Sequence, residues 1–265
     1  METQYLPLAF FLYKGGFVMS VFMNDMTWKE FQSKEDRPLI IPVGSTEQHA
    51  LHLPLCVDSK IAEGISALLA EKADCVVAPT LSYGYKSKPL SGGGPLFPGT
   101  IDLNGTTLMS LMEDILEEFI RDGRKKIFVM NAHFENEAFI IESIDNVSRR
   151  HPAVTIIESN WWDVLSQEVI NEVFSEVPFP GWAFEHAAVT ETSLMMYLAP
   201  ELVHEELMSD DKGAEPIPYF KYPIIKGIVP ESGNLAPAKS SSAEKGKLIA
   251  DAAIEAFIQI MQKEF

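Results

Sequence analysis

The chain has 265 residues, 46% of them hydrophobic, and a net charge of −17. That length and apolar content suit one large α/β domain with a full core, and the acidic balance argues against nucleic acid or an anionic membrane surface as partner. Two cysteines, Cys56 and Cys75, imply no disulfide framework and a reducing compartment, read here as the cytoplasm.

Residues 1–18 hold a short apolar run from Leu6 to Tyr13, with Glu2 before it and no basic residue ahead. The run is too short to span a bilayer and lacks a signal cleavage pattern, so it is expected to be an N-terminal extension of a single domain over 19–265. A short capped helix is predicted over 24–31. Strands follow at 38–43, 74–79, 126–130 and 153–158. Helices are predicted at about 59–72, 105–122, 136–150 and 187–198. Residues 209–213 and 215–230 read as surface arms, and 245–265 as a closing amphipathic helix with Ile249, Ala253, Phe257 and Met261 at helical spacing. Strands alternating with helices predict a mostly parallel sheet with helices on both faces, whose functional residues gather beyond the strands' carboxyl ends.

Two such ends carry the same grammar. Pro38-Leu39-Ile40-Ile41 leads into Pro42-Val43-Gly44-Ser45-Thr46-Glu47-Gln48-His49, and Lys126-Ile127-Phe128-Val129-Met130 leads into Asn131-Ala132-His133-Phe134-Glu135-Asn136. If the chain stays extended past Gly44, Glu47 and His49 point to one side. His133 and Glu135 repeat that spacing. Asp58, at the start of the 59–72 helix, is either its N-cap or a further ligand. Five mixed nitrogen and oxygen donors suit zinc, manganese or a similar ion, and they exceed what one catalytic zinc takes, so two ions sharing a carboxylate are expected. Cys56 reads as a buried thiol rather than a soft ligand.

The long loop with Tyr83-Gly84-Tyr85-Lys86-Ser87 and Ser91-Gly92-Gly93-Gly94 is not a phosphate loop, because no Gly-Lys-Ser/Thr follows. A third polar cluster holds Trp161-Trp162-Asp163, Gly181-Trp182-Ala183-Phe184-Glu185-His186 and Glu191. Trp182 is either an ordinary packed aromatic or a cover that stacks on a flat polar ring. His186 and Glu191 are general acid–base groups or supports for the ligands.

Taken in order, these segments resemble the creatininase (creatinine amidohydrolase) family from about Thr27 to Gly246, with Phe97-Pro98-Gly99-Thr100, Ala238-Lys239-Ser240 and Glu244-Lys245-Gly246 included. The resemblance implies a zinc–manganese centre and a homohexamer. One ion would be held by Glu47, His133 and Asp58, the other by His49, Glu135 and Asp58. It further implies that a metal-bridging hydroxide opens a small cyclic amide, creatinine to creatine as the leading case. His186, Glu135 and Glu191 would be the catalytic positions. Ser91, Phe134, Trp162, Trp182 and His186 would contact the substrate.

Three features depart from the family pattern. Phe134 stands where creatininases have Tyr, Ala183 where creatininase has Asp, and Ala50-Leu51-His52-Leu53 is more apolar than expected. A different small ring (a lactam, a formamide or an inositol-derived ketone) is therefore a second expectation, and a non-catalytic binding protein on the same scaffold a third.

Overall fold

The computed structural model describes residues 20–88, 94–211, 219, 221–223, 227 and 229–265. Residues 1–18 and Ser91 lie outside the described residues, as do parts of the 209–213 and 215–230 arms. Four strands form the sheet: β1 (Leu39–Val43), β2 (Val76–Val77), β3 (Lys126–Asn131) and β4 (Thr155–Asn160). Their order is β2-β1-β3-β4 and every pairing is parallel. β1 is buried along its whole length, which is why its sequence is an unbroken apolar run rather than an alternating one.

Helices cover both faces. Leu39, Ile41, Val43, Ile127 and Val129 pack with Leu108, Met112, Ile140 and Val147, from α3 (Gly105–Arg121) and α4 (Glu137–Ser148). Ile40, Phe128 and Met130 point the other way, onto α2 (Val57–Ala73), α6 (Val189–Leu198) and α7 (Ala243–Glu264). Helix α6 is buried on nearly every side, its polar residues Thr190, Glu191, Thr192 and Ser193 included. Helix α7 crosses it so closely that a Cβ on Gly246 would lie 1.9 Å from Ser193 O. The remaining helices are α1 (Trp28–Gln32), opened by a Thr27–Glu30 capping box, and α5 (Gln167–Val173).

Three elements differ from the sequence reading. The helix expected over 24–31 starts only at Trp28, because Thr27 is its N-cap. The 74–79 strand shrinks to Val76–Val77. Cys75 N instead closes the end of α2 by donating to Ala70 O, and Pro79 offers no N–H with which to continue a ladder. Helix α5 arises in a stretch that the apolar pattern leaves unassigned.

At the sheet's carboxyl edge β1 stops at Val43, and residues 44–49 are not strand. Gly44 seats this turn directly on the first turn of α2: a Cβ there would lie 2.5 Å from Ser59 N and 2.7 Å from the Asp58 carbonyl carbon. Gly44→Ala should therefore lower the unfolding free energy by about 2 kcal/mol or more. The readout is the urea midpoint at unchanged slope, and a shift worth under about 0.5 kcal/mol would show α2 free to slide away from β1.

Candidate metal centre

The turn after β1 is pinned from outside. Thr46 Oγ1 donates to Ser82 O at 2.6 Å, Glu47 N to Leu55 O at 3.1 Å and Gln48 N to Thr100 Oγ1 at 3.1 Å. These bonds turn Glu47 and His49 inward, though the strand has ended. Asp58 stands in the first turn of α2, where the helix dipole favours a carboxylate. It is not the N-cap: Cys56 holds that position, without a side-chain cap bond.

The end of β3 is fixed by three asparagines. Asn131 Nδ2 donates to His133 O at 2.8 Å and to Asn160 Oδ1 at 2.7 Å. Asn136 Nδ2 donates to Gly44 O at 3.1 Å, while its Oδ1 accepts from Tyr85 N at 2.7 Å. The carboxyl ends of β1, β3 and β4 and the 85 loop are thereby tied into one rigid rim.

Inside that rim, His133 Nδ1 lies 3.1 Å from both Glu47 Oε1 and Asp58 Oδ2. His49 Nε2 lies 3.0 Å from Asp58 Oδ1 and 3.5 Å from Glu191 Oε2. The outer ring nitrogens meet backbone carbonyls: His133 Nε2 is 2.9 Å from Tyr85 O, and His49 Nδ1 is 3.2 Å from Glu47 O. A carbonyl can only accept, so the outer nitrogens carry the protons. In the neutral rings the inner nitrogens then present lone pairs to carboxylates, an arrangement that demands a cation between them.

The electrostatics agree. Burial alone would depress His49 and His133, yet the carboxylates of Asp58 and Glu191 around one ring and of Glu47 and Asp58 around the other hold both well above the ordinary histidine value. Burial would likewise raise Asp58, but the two imidazoles hold it well below the usual carboxylate range. Glu47 Oε2 and Asp58 Oδ2 are buried with no hydrogen bond among the described residues. Either extra protons or metal ions satisfy this cluster. Glu47, His49 and His186 form one triad with ligand atoms within 4.8 Å of one another, and the donors about Asp58 form two more, Glu47–Asp58–His133 and His49–Asp58–Glu191. Asp58 offers one oxygen to each of these two. The donor set suits a divalent ion in either of them.

The sequence-expected residues are thus brought together, with one difference of position. Glu135 Oε2 lies 3.5 Å from His133 Nε2, the outer nitrogen, and Glu135 joins none of the triads. Glu191, rather than the Glu135 that the resemblance implied, is the carboxylate that stands with His49 and Asp58 in this structure. Glu191 Oε2 also accepts from Ala187 N at 2.7 Å. Glu185 accepts from Val189 N and Thr190 N, which caps the start of α6. Burial pushes Glu185 up to about 7.

His186 stacks on His49, ring centroids 4.3 Å apart, with Nδ1 3.7 Å from Glu47 Oε1. The cleft above these groups is walled by Phe134, Trp161, Trp162, Trp182 and Ala183, and Glu135 also lines it. Trp182 packs edge-on against Phe179 and Trp161, and Phe134 sits 6.0 Å from Trp162. Sequence reasoning missed the roles of Asn131, Asn136, Asn160 and Gln48. The only hint was the density of asparagine at the strand ends.

The family model described as Creatininase: Creatinine amidohydrolase matches residues 24–261. Creatinine amidohydrolase of Pseudomonas putida is 38% identical, over 93% of this chain and 98% of its own. The 3-dehydro-scyllo-inosose hydrolase of Thermotoga maritima is 28% identical, over 92% of this chain and 82% of its own. The solved structure named Creatininase Mn superimposes with a TM-score of 0.89 at 38% identity, covering 93% of this chain and 99% of that one. The chain therefore belongs to the creatininase family of hydrolases.

Proposed function

We propose that this protein hydrolyses a small cyclic amide, with creatinine to creatine as the leading case, at a pair of divalent ions such as zinc and manganese. One ion would be held by Glu47, Asp58 and His133, the other by His49, Asp58 and Glu191. The observation that carries this reading is the facing of two imidazole lone pairs onto three carboxylates, with Asp58 shared. When bound, such ions would polarise a ring carbonyl and lower the pKa of water.

The chain's own groups do the rest. Trp162, Trp182 and Phe134 would hold a flat ring by its faces and keep bulk water out. Ser91 is assigned by resemblance to the same substrate. His186 would pass a proton to the ring nitrogen released when the amide C–N bond breaks. Glu135, outside the triads but in the cleft, would orient the attacking water or the substrate.

A second reading is supported by the inosose hydrolase relative and by the apolar walls at Phe134 and Ala183: hydrolysis of a cyclic ketone of that kind. A lost pocket hydrogen bond shifts preference by about 1–3 kcal/mol, enough to change substrate. We further propose a single domain over 19–265 preceded by an extension, a homohexamer and a cytoplasmic location. No helix among the described residues is long and apolar enough to cross a membrane, and Cys56 and Cys75 are both free thiols.

Turnover decides between the readings. With Mn²⁺ or Zn²⁺ supplied, creatine should form from creatinine. Activity confined to a ring ketone would select the second reading, and none on either would overturn both.

The ligand assignment separates two carboxylates. Glu191→Gln should lose about half of the bound metal and about 100-fold in turnover, whereas Glu135→Gln should keep its metal. Equal metal content in the two variants would contradict the assignment.

The raised histidines give a pH dependence. With ions chelated, protonated His49 and His133 stabilise the fold below about pH 6.5, and this stability is lost as pH rises through their raised folded values. The Tm of chelated protein should therefore fall as pH is raised above neutrality, and returning Mn²⁺ or Zn²⁺ should largely abolish that fall. A chelated Tm that rises over the same range would contradict the electrostatic account.

A further inference from the structure

His186 joins a triad with Glu47 and His49, and it is also held by contacts that neither triad about Asp58 requires. Its Nε2 lies 2.7 Å from Gln48 O. That oxygen can only accept and is the nearer of the two Gln48 atoms at Nε2, so the geometry points to a ring proton on Nε2 and a lone pair on Nδ1. Nδ1 is the nitrogen that faces Glu47.

The Gln48 amide Nε2 also lies 3.1 Å from His186 Nε2, farther than the main-chain oxygen, and two other partners fix that amide. Oε1 accepts from Ala50 N at 2.8 Å, and Nε2 donates to Gly233 O at 3.1 Å. Turning the amide over would set oxygen against oxygen at Gly233 and N–H against N–H at Ala50. The 230–236 strap then closes on the other side. Gly233 N donates to Pro230 O, Leu235 N to His186 O at 3.4 Å, and Asn234 Nδ2 to Ala187 O at 3.4 Å. Gly233 has φ +82°, and a Cβ there would lie 2.1 Å from Gln48 Oε1. The strap fits only with glycine at this point.

We propose that Gln48 and Gly233 form a positioning pair for His186, fixing the ring with its proton on Nε2 so that Nδ1 exchanges the proton with substrate. The exchange step rests on the reading of His186 as proton carrier. The clamp itself rests on hydrogen-bond geometry. Gln48 holds the ring with its main-chain carbonyl, and its side chain ties down the strap that holds the His186 backbone. A ring free to rotate would present the wrong nitrogen, and mispositioning of this kind costs an acid–base group much of its effect.

The test combines spectroscopy with kinetics. In zinc-loaded protein carrying ¹⁵N-histidine, the His186 signals are identified by their absence in His186→Gln. They should show a protonated Nε2 and a bare Nδ1, and the opposite tautomer would overturn the proposal. Gly233→Ala should lower kcat by about tenfold or more while KM and bound zinc stay within about twofold. In a Gln48→Ala background the same change should cost less than about threefold, because the colliding amide is gone. An equal cost in both backgrounds would overturn the pairing. Protein inactive on creatinine but protonated at Nε2 would uphold the clamp and overturn only the substrate reading.

Discussion

Everything at the sheet's carboxyl edge depends on one electrostatic constraint: three buried carboxylates share a space with two imidazoles whose outer protons are already committed to backbone carbonyls. Like charges about 4 Å apart repel by about 4 kcal/mol even at an effective dielectric near 20. Glu47, Asp58 and Glu191 therefore cannot stand together without positive charge between them. Protons can supply it, which is why both imidazoles lie well above the ordinary histidine value. A divalent pair, as proposed, would supply it better, since the donors of each triad are the nitrogen and oxygen types such ions take.

The fold meets the cost of assembling such a cluster with rigid scaffolding. Gly44 allows the turn after β1 to rest on the first turn of α2, which brings Asp58 between the two histidines. Asn131, Asn136 and Asn160 bind the strand ends to one another, and bonds to Leu55, Ser82 and Thr100 fix the turn after β1. Helix α6, buried on nearly all sides, delivers Glu191 from the far side of the cleft. The residue that enters α6, Ala187, has a left-handed φ of 52° and is held by Glu191 itself. Strain at that point is consistent with a backbone fixed for the sake of His186.

Much of this was legible in the residues. Buried parallel strands write themselves as apolar runs, and β1, β3 and β4 lie within two residues of their expected positions. Glu47, His49, Asp58 and His133 stood out because each follows a strand or opens a helix. The closeness of Glu191 to His49 was not legible, because the two are far apart in the chain. A His-x-Glu spacing at β3 offered Glu135 as a closer candidate. Spacing reports which side of a strand a group leaves from, not which nitrogen of the histidine it meets. The asparagine lattice and the Gln48–Gly233 clamp escaped for the same reason. Each joins segments that share no local pattern, and hydrogen bonds of that kind leave no periodicity behind.

The central claim is that two ions sit between these carboxylates and imidazoles with Asp58 shared. Anomalous scattering from crystals equilibrated with Mn²⁺ and Zn²⁺, recorded at both absorption edges, tests it most directly. The account predicts two peaks, one among Glu47, Asp58 and His133 and one among His49, Asp58 and Glu191. A single peak, or a second ion bound through Glu135 with Glu191 turned away, would contradict it.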